Sequence, residues 1–475
     1  MSSFKYKIAI FFMLICFAAH AQQNGRYTLQ QCIDIALQNN FNVKTSEAQM
    51  QINRVSWQQA RENLLPGVSG DINNSINNGR SLNTTSYSYV NQQQTSGSYS
   101  LSGSVILFNG LALQNSIKQA SLAYQAGKMD YQQAKDLTTL NVITTYLQVL
   151  NSQDQLTQAT YQVDVAQKQA ERQDILGKEG AAKPGDISDI KGAFATSQLA
   201  VINAKNTVDI AKLSLLQIMN VPYDRNIQLE PLRADELPVK FGGTSDDIYA
   251  SALTNLPSVK AAAFRRQSAE KGVSAAKGGL FPTLSLSGGL GTSYSSVSQS
   301  SVLIDSTIVP THAFTGSGAT KQTVYTSQAN YNTQNISFGD QFKNNFNTYV
   351  SLGLHIPILN YFRNRNNISL AKINLFTARF TEETIKTQLK QNIDQAYVNM
   401  VAAYDRYQVT LQQVSAYTES FRTAEIRFNE GVLTSVDYVL TKNNMDQANI
   451  NLISARYDYF IRTKILDYYQ GKLTL

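Results

Sequence analysis

The chain has 475 residues, a formal charge of +7 and only 16% charged residues, with Asn, Gln, Ser, Thr and Tyr abundant in their place. The basic excess is not gathered into a run with interleaved aromatics, so nothing points to nucleic acid as a partner. The only cysteines are Cys16 and Cys32. They allow no cysteine metal cluster and, once a leader is removed, no disulfide within the chain.

Lys5 and Lys7 precede a short apolar run from Ile8 to Ala19, and Ala19-His20-Ala21 is a small-x-small cleavage site. This reads as a secretory signal peptide over 1–21, leaving Gln22 as the mature N-terminus. No later stretch reaches the roughly 18 apolar residues of a membrane-spanning helix. Membrane β-strands leave only a weak hydropathy signal, so a barrel remains open.

Proline placement organises the rest. Gly67 to Lys183 and Ile358 to Leu475 contain none. Proline inside a helix costs about 3 kcal/mol, so very long helices must exclude it. Leu111 to Leu176 carries one glycine, Gly127, and Tyr361 to Glu430 carries none. Apolar residues recur at spacings of three and four, as in Ile385, Leu389, Ile393, Ala396 and Met400, and in Tyr407, Leu411, Val414, Phe421 and Phe428. A helix of about 65 residues would be about 100 Å long, which implies rods packed side by side.

Four shorter segments switch to a period of two. The first, around Val68, Ile72 and Ile76, is the weakest. In the second, Tyr99, Leu101, Gly103, Val105 and Leu107 alternate with Ser98, Ser100, Ser102 and Ser104. In the third, Leu284, Leu286 and Leu290 alternate with Ser285, Ser287 and Gly289; in the fourth, Val350, Leu352, Leu354 and Ile356 alternate with Ser351, Gly353 and His355. Runs of about ten residues, apolar on one face and small and polar on the other, suit tilted membrane strands around a watery lumen, and equally a half-exposed soluble sheet. Tyr87, Tyr89, Tyr99, Tyr294 and Tyr349 stand near the loop ends, where an interfacial aromatic girdle would stand, and tip the balance toward membrane. Polar loops are expected from Asn78 to Gly97 and from Ser295 to Phe346.

The halves repeat. Ala36-Leu37-x-Asn39 matches Ala252-Leu253-x-Asn255, and Leu65-Pro66 matches Phe281-Pro282, at an offset of 216. Asn109 matches Asn360, Tyr146 matches Tyr397, Glu179-Gly180 matches Glu430-Gly431 and Asp186 matches Asp437, at an offset of 251. The offsets 216 and 251 differ by 35 residues, which must be inserted between Pro282 and Asn360, in the second polar loop. The expected organisation is a repeat over 22–220, an irregular link over 221–243 with Pro222, Pro231 and Pro238, and a repeat over 244–475. Each repeat reads helix, strand, loop, strand, very long helix, turn, helix. Four strands cannot close a barrel in lipid, so membrane strands require several copies.

The opening Tyr27-Thr28-Leu29-Gln30-Gln31-Cys32-Ile33-Asp34-Ile35-Ala36-Leu37-Gln38-Asn39-Asn40 resembles that of TolC-type outer-membrane efflux proteins. So do Leu65-Pro66, Leu107-Phe108-Asn109-Gly110, and Phe428-x-x-Gly431 followed by Asp437. The resemblance implies a mainly α chain with four transmembrane β-strands and a duplicated architecture. Three copies would form a twelve-stranded β-barrel in the outer membrane of a Gram-negative bacterium and a long α-helical barrel in the periplasm. It further implies a periplasmic adaptor and an inner-membrane pump, of the RND or ABC type, exporting small molecules or proteins, with outer-membrane lipid around the barrel and no cofactor.

The family constricts its duct at the periplasmic helix turns with acidic rings. The matching residues here are Asp437, with Gly431 at the bend, and Asp186, with Asp189 one helical turn on. A second family acid falls on Leu440 and a basic gate residue of some members falls on Leu433, so a gate of different composition is expected. Gly180, Gly431, Phe428 and Leu433 mark the tip that would meet an adaptor. Helix capping accounts for glycines and acids at such turns equally well. A secreted or surface coiled-coil adhesion protein would share the rods but not the strand pairs. An enzyme is not expected: His312 and His355 are the only histidines of the mature chain, and no nucleophilic set, metal cluster or phosphate loop accompanies them.

Overall fold

A computed structural model describes residues 26–83, 87–231 and 240–472; the proposed leader, 1–21, and the part of the link around Pro238 lie outside the described residues. The chain divides into two compact units, one of Met1–Val55, Ser121–Ser268 and Leu375–Leu475, the other of Ser56–Ala120 and Ala269–Asn374. Each unit draws on both halves of the sequence.

The helices occur in matched pairs. Helices α1 (Leu29–Asn39) and α5 (Ser245–Asn255) each have 11 residues, and α2 (Phe41–Glu62) and α6 (Pro257–Gly278) each have 22. Helices α3 (Ala112–Lys178) and α8 (Arg363–Asn429) each have 67, and α4 (Pro184–Met219) and α9 (Ser435–Gln470) each have 36. Even the caps repeat. Thr28 accepts the Gln31 amide while Gln31 receives the Thr28 amide, and Thr244 and Asp247 form the same reciprocal box.

In the helical unit, one face of each rod is apolar. Cys32, Ile33 and Ala36 of α1 pack with Ile143, Tyr146 and Leu150 of α3, Leu215 and Met219 of α4 and Tyr457 of α9. Ile248 and Ala252 of α5 pack with Leu389, Ile393 and Met400 of α8 and with Tyr459 and Leu466 of α9. A Cβ on Gly127, in the body of α3, would lie 2.6 Å from the Asn53 side-chain amide of α2. The link runs beside the start of the chain: the Tyr27 amide donates to Gln228 O at 2.8 Å and the Glu230 amide to Tyr27 O at 3.1 Å. The matched tyrosines reach this region. Tyr146 donates to Glu230 O at 2.7 Å and Tyr397 to Gly243 O at 3.2 Å.

The second unit holds an antiparallel sheet in the order β1 (Gly67–Asn83), β2 (Ser88–Phe108), β3 (Thr283–Ser295), β6 (Asn347–His355). Strands β4 (Gln299–Thr315) and β5 (Gln322–Asn335) form a separate two-stranded ribbon, and a short helix α7 (Phe338–Asn344) precedes β6. The expected strands are therefore present, but three are longer than about ten residues: β1 has 17, β2 has 21 and β3 has 13. The expected loop 78–97 is largely the paired end of β1 and β2, and the expected loop 295–346 contains a ribbon and a helix. Backbone ladders continue where side chains are polar, as at the far ends of β1 and β2, and in β4 register shifts at Leu303/Asp305 and Pro310/Phe314 break the period of two.

Both repeats turn from strand to long helix in the same way. Gly110 and Leu111 have φ of 64° and 62°, and Tyr361 and Phe362 have φ of 55° and 57°. A Cβ on Gly110 would lie 2.6 Å from Gly278 O, so the first repeat needs glycine where the second tolerates tyrosine. Left-handed backbone at bulky residues costs about 1–2 kcal/mol each and persists because the flanking elements over-determine it.

Candidate functional site

Two regions carry the chemistry, the sheet and the helix turns. Directly paired residues in an antiparallel sheet share a face. Val68 pairs with Gly103, Gly103 with Gly288 and Gly288 with Val350; Leu101 pairs with Leu290, Val105 with Leu286 and Leu286 with Leu352. One face is thus aliphatic and exposed, with Ile72 at 77% and Val350 at 82%. The other carries Ser69 opposite Ser102, Asp71 opposite Ser100, Asn73 opposite Ser98 and Ser104 opposite Ser287. Among the described residues no helix is long and apolar enough to cross a membrane. From Leu284 to Tyr294 β3 rises about 34 Å, or about 26 Å across a bilayer at a tilt of roughly 40°, which matches an apolar band of about 25 Å.

The aromatic girdle is partly as expected. Tyr99 and Tyr294 lie on the apolar face, where they meet Phe338 and Phe342 of α7 at centroid distances of 5.1–6.2 Å. Tyr349 does not belong to it: it pairs with Gly289 on the serine face, and its ring occupies the space a Cβ on Gly289 would need. The period of two places it there, one residue out of phase with Val350.

At the first turn, Gly180 (φ 71°) ends α3; its amide donates to Gly177 O and the Ala181 amide to Leu176 O. At the second, Gly431 (φ 75°) ends α8; its amide donates to Phe428 O and the Val432 amide to Arg427 O. Both are Schellman closures, in which a left-handed residue lets the last carbonyls find donors. Helix α9 is then capped by Thr434, whose Oγ1 accepts the Asp437 amide at 3.1 Å and donates to the Asp437 carboxylate at 2.8 Å. Asp437 is exposed and completes this cap. Asp186 caps nothing: the residue before α4 is Lys183, which makes no side-chain cap, and Pro184 opens the helix.

The structure instead brings the acids of the first turn to the second. The buried Ser435 hydroxyl, 2% exposed, lies 2.7 Å from Asp186 Oδ1 and 2.9 Å from Asp189 Oδ2. One hydroxyl proton serves two carboxylates, and the N-termini of α4 and α9 supply the remaining positive potential. Nearby, Lys191 donates to Asp174 at 2.7 Å and Arg172 donates to Asn429, tying α3 to α4 and to α8. The Lys191 ammonium holds the Asp174 carboxyl below its ordinary range.

Of the expected tip residues, Phe428 is buried and Leu433 half-buried. Phe428 stacks on Tyr438 at 4.6 Å, and Leu433 packs against the same cluster with Ile190 and Phe421. The exposed apolar residues of the turn are Val432, Val436 and Leu440. Val436 and Leu440 line a groove of about 630 Å³ between α4 and α9, with Asp189, Ala193 and Ser197. Sequence reasoning passed over Val432 and Val436 and saw Leu440 only as a missing acid. The signal was there, because Val436 and Leu440 stand one helical turn apart on the face opposite Tyr438.

The described sheet has an aliphatic face, a serine face and two unpaired edges, and is joined in one chain to two rods of 67 residues. Residues 32–221 and 248–467 match the model of the outer membrane efflux protein family, and the chain belongs to that family. It is an outer-membrane channel subunit for efflux in a Gram-negative bacterium, extending into the periplasm, and its family is one of channels rather than enzymes. Membership sets aside the coiled-coil adhesion reading. The chain is 22% identical to the toxin and drug export protein A of Aggregatibacter actinomycetemcomitans over 439 residues, covering 90% of this chain and 83% of that one. It is 22% identical to the outer membrane protein TolC of Escherichia coli, covering 85% of this chain and 74% of that one. The solved structure of CusC superposes with a TM-score of 0.75 at 15% identity, covering 95% of each chain.

Proposed function

We propose that three copies of this chain close a twelve-stranded barrel and form a passive, gated conduit, serving a periplasmic adaptor and an inner-membrane pump of the RND or ABC type. The carrying observation is the sheet itself. β1 and β6 are open edges, and an unpaired edge cannot face lipid because each orphaned amide or carbonyl costs several kcal/mol. Other copies must pair with them; that there are three copies rests on the family.

The gate is assigned to the helix turns, with Asp437 as one acidic position and Asp186 with Asp189 as the other. Negative groups at a narrow mouth hold back anions and concentrate cations. The groove lined by Val436 and Leu440 is assigned to the adaptor, in place of Phe428 and Leu433. The two repeats, 22–220 and 244–475, would each contribute one turn to the tip, with 221–243 joining them. In planar bilayers Asp437→Ala and Asp186→Ala should each raise single-channel conductance or lower cation selectivity. Unchanged conductance and selectivity in both would remove the gate assignment.

A further inference from the structure

The ribbon of β4 and β5 is the 35-residue excess of the second repeat, and nothing in a conduit requires it. It is rooted beside the sheet, where the Ile336 amide donates to Ser298 O at 3.0 Å. The neighbouring Gln341, 2% exposed, receives the Ser295 amide and donates to the Ser295 and Ile336 carbonyls. The clamp is built, so the ribbon leaves the sheet from a defined base.

Its register sorts its side chains. Leu303 pairs with Tyr331, Ile308 with Ser327 and Pro310 with Tyr325, and Phe314 stands on the same face. The opposite face carries Asp305 beside Asn330, Thr307 beside Gln328 and Val309 beside Thr326, with the smaller aliphatics Val302, beside Asn332, and Val324. Leu303, Ile308, Phe314, Tyr325 and Tyr331 are 52–75% exposed in the single chain. A two-stranded ribbon is marginal in water, so an apolar face of this size needs cover.

Within 299–335 the only charged residues are Asp305 and Lys321, which cancel. An anionic lipid surface is bound through clusters of Lys and Arg, and the ribbon has none. Equally, nothing repels a second ribbon. β4 is about 55 Å long, while a twelve-stranded barrel is about 25 Å across, so ribbons rooted around one rim can reach each other. Tethering to one rim gives them millimolar or higher effective concentrations.

We propose that the ribbons of the assembled copies pack against one another through this apolar face, forming an outer collar that narrows the mouth of the channel. The collar rests on the three-copy reading above.

Cysteines placed at Ile308 and Tyr325, singly and together, and a control at Gln328 on the polar face, test it in the full-length assembly with a short bis-maleimide. Native Cys32 gives no background, being fully buried with its thiol pushed up to about 12. Ile308→Cys and Tyr325→Cys should link into covalent oligomers many-fold more than Gln328→Cys, and replacing 299–335 by a short Gly-Ser turn should raise conductance several-fold. Equal linking on both faces, or none, overturns the collar. So does labelling of Ile308→Cys or Tyr325→Cys by a lipid-borne probe, which would place the face in the bilayer. The native mass is read on the same samples: three copies without face-specific links sinks the collar alone, whereas any other copy number sinks the assembly it stands on.

Discussion

Glu382 of α8 shows how single residues pin the rods. It is 8% exposed and accepts from Arg266 of α6 at 2.7 Å and from Lys386 at 2.9 Å. Burial alone would raise its carboxyl, but the two cations outweigh that and hold it below its ordinary range. Its contribution is therefore fully present above the unfolded value of 4.5 and is lost as pH falls through the lower folded value. Glu382→Gln should lower the melting temperature at pH 7, and the gap to wild type should shrink below pH 4.5. A gap that stays constant across that window would show that the pair contributes nothing. The acids of the turns illustrate what a linear reading omits. Asp186 and Asp437 were legible as matched positions, but Ser435 lies 249 residues from Asp186 in the chain, and no local pattern announces that contact.

Among elements, the helices were the most legible, because the absence of proline and the rarity of glycine are necessary conditions for rods of 67 residues. Gly127 stands in the body of α3 against the side chain of Asn53. Gly127→Ala should be nearly neutral, because the nearest atom is the movable Asn53 amide, while Gly127→Leu should cost about 1–3 kcal/mol by overpacking against α2. Thermal unfolding of the two variants separates these outcomes. The strands were legible only where they meet lipid. Leu352→Arg on the aliphatic face should destabilise the assembly by about 2–4 kcal/mol, and Ser287→Arg on the serine face by much less. Equal losses in the heat stability of the assembled protein would mean that the two faces are wrongly assigned.

At the scale of the whole molecule, function depends on closure between chains. Detergent-solubilised protein should have the mass of three copies, and a monomer that stays soluble without detergent would contradict the conduit. Residue chemistry along the chain was enough to establish the duplication, the rods, the two-faced strands and the site of the insertion. Each of these follows from period, proline exclusion or offset, which act over a few residues or repeat at a constant distance. The folded chain was needed to show that Phe428 is buried, that Tyr349 joins the serine face, that Ser435 bridges two acids, and that the inserted loop contains a two-stranded ribbon. Those outcomes depend on which distant surfaces meet, and polar ladders and long-range contacts leave no periodic trace in a single sequence.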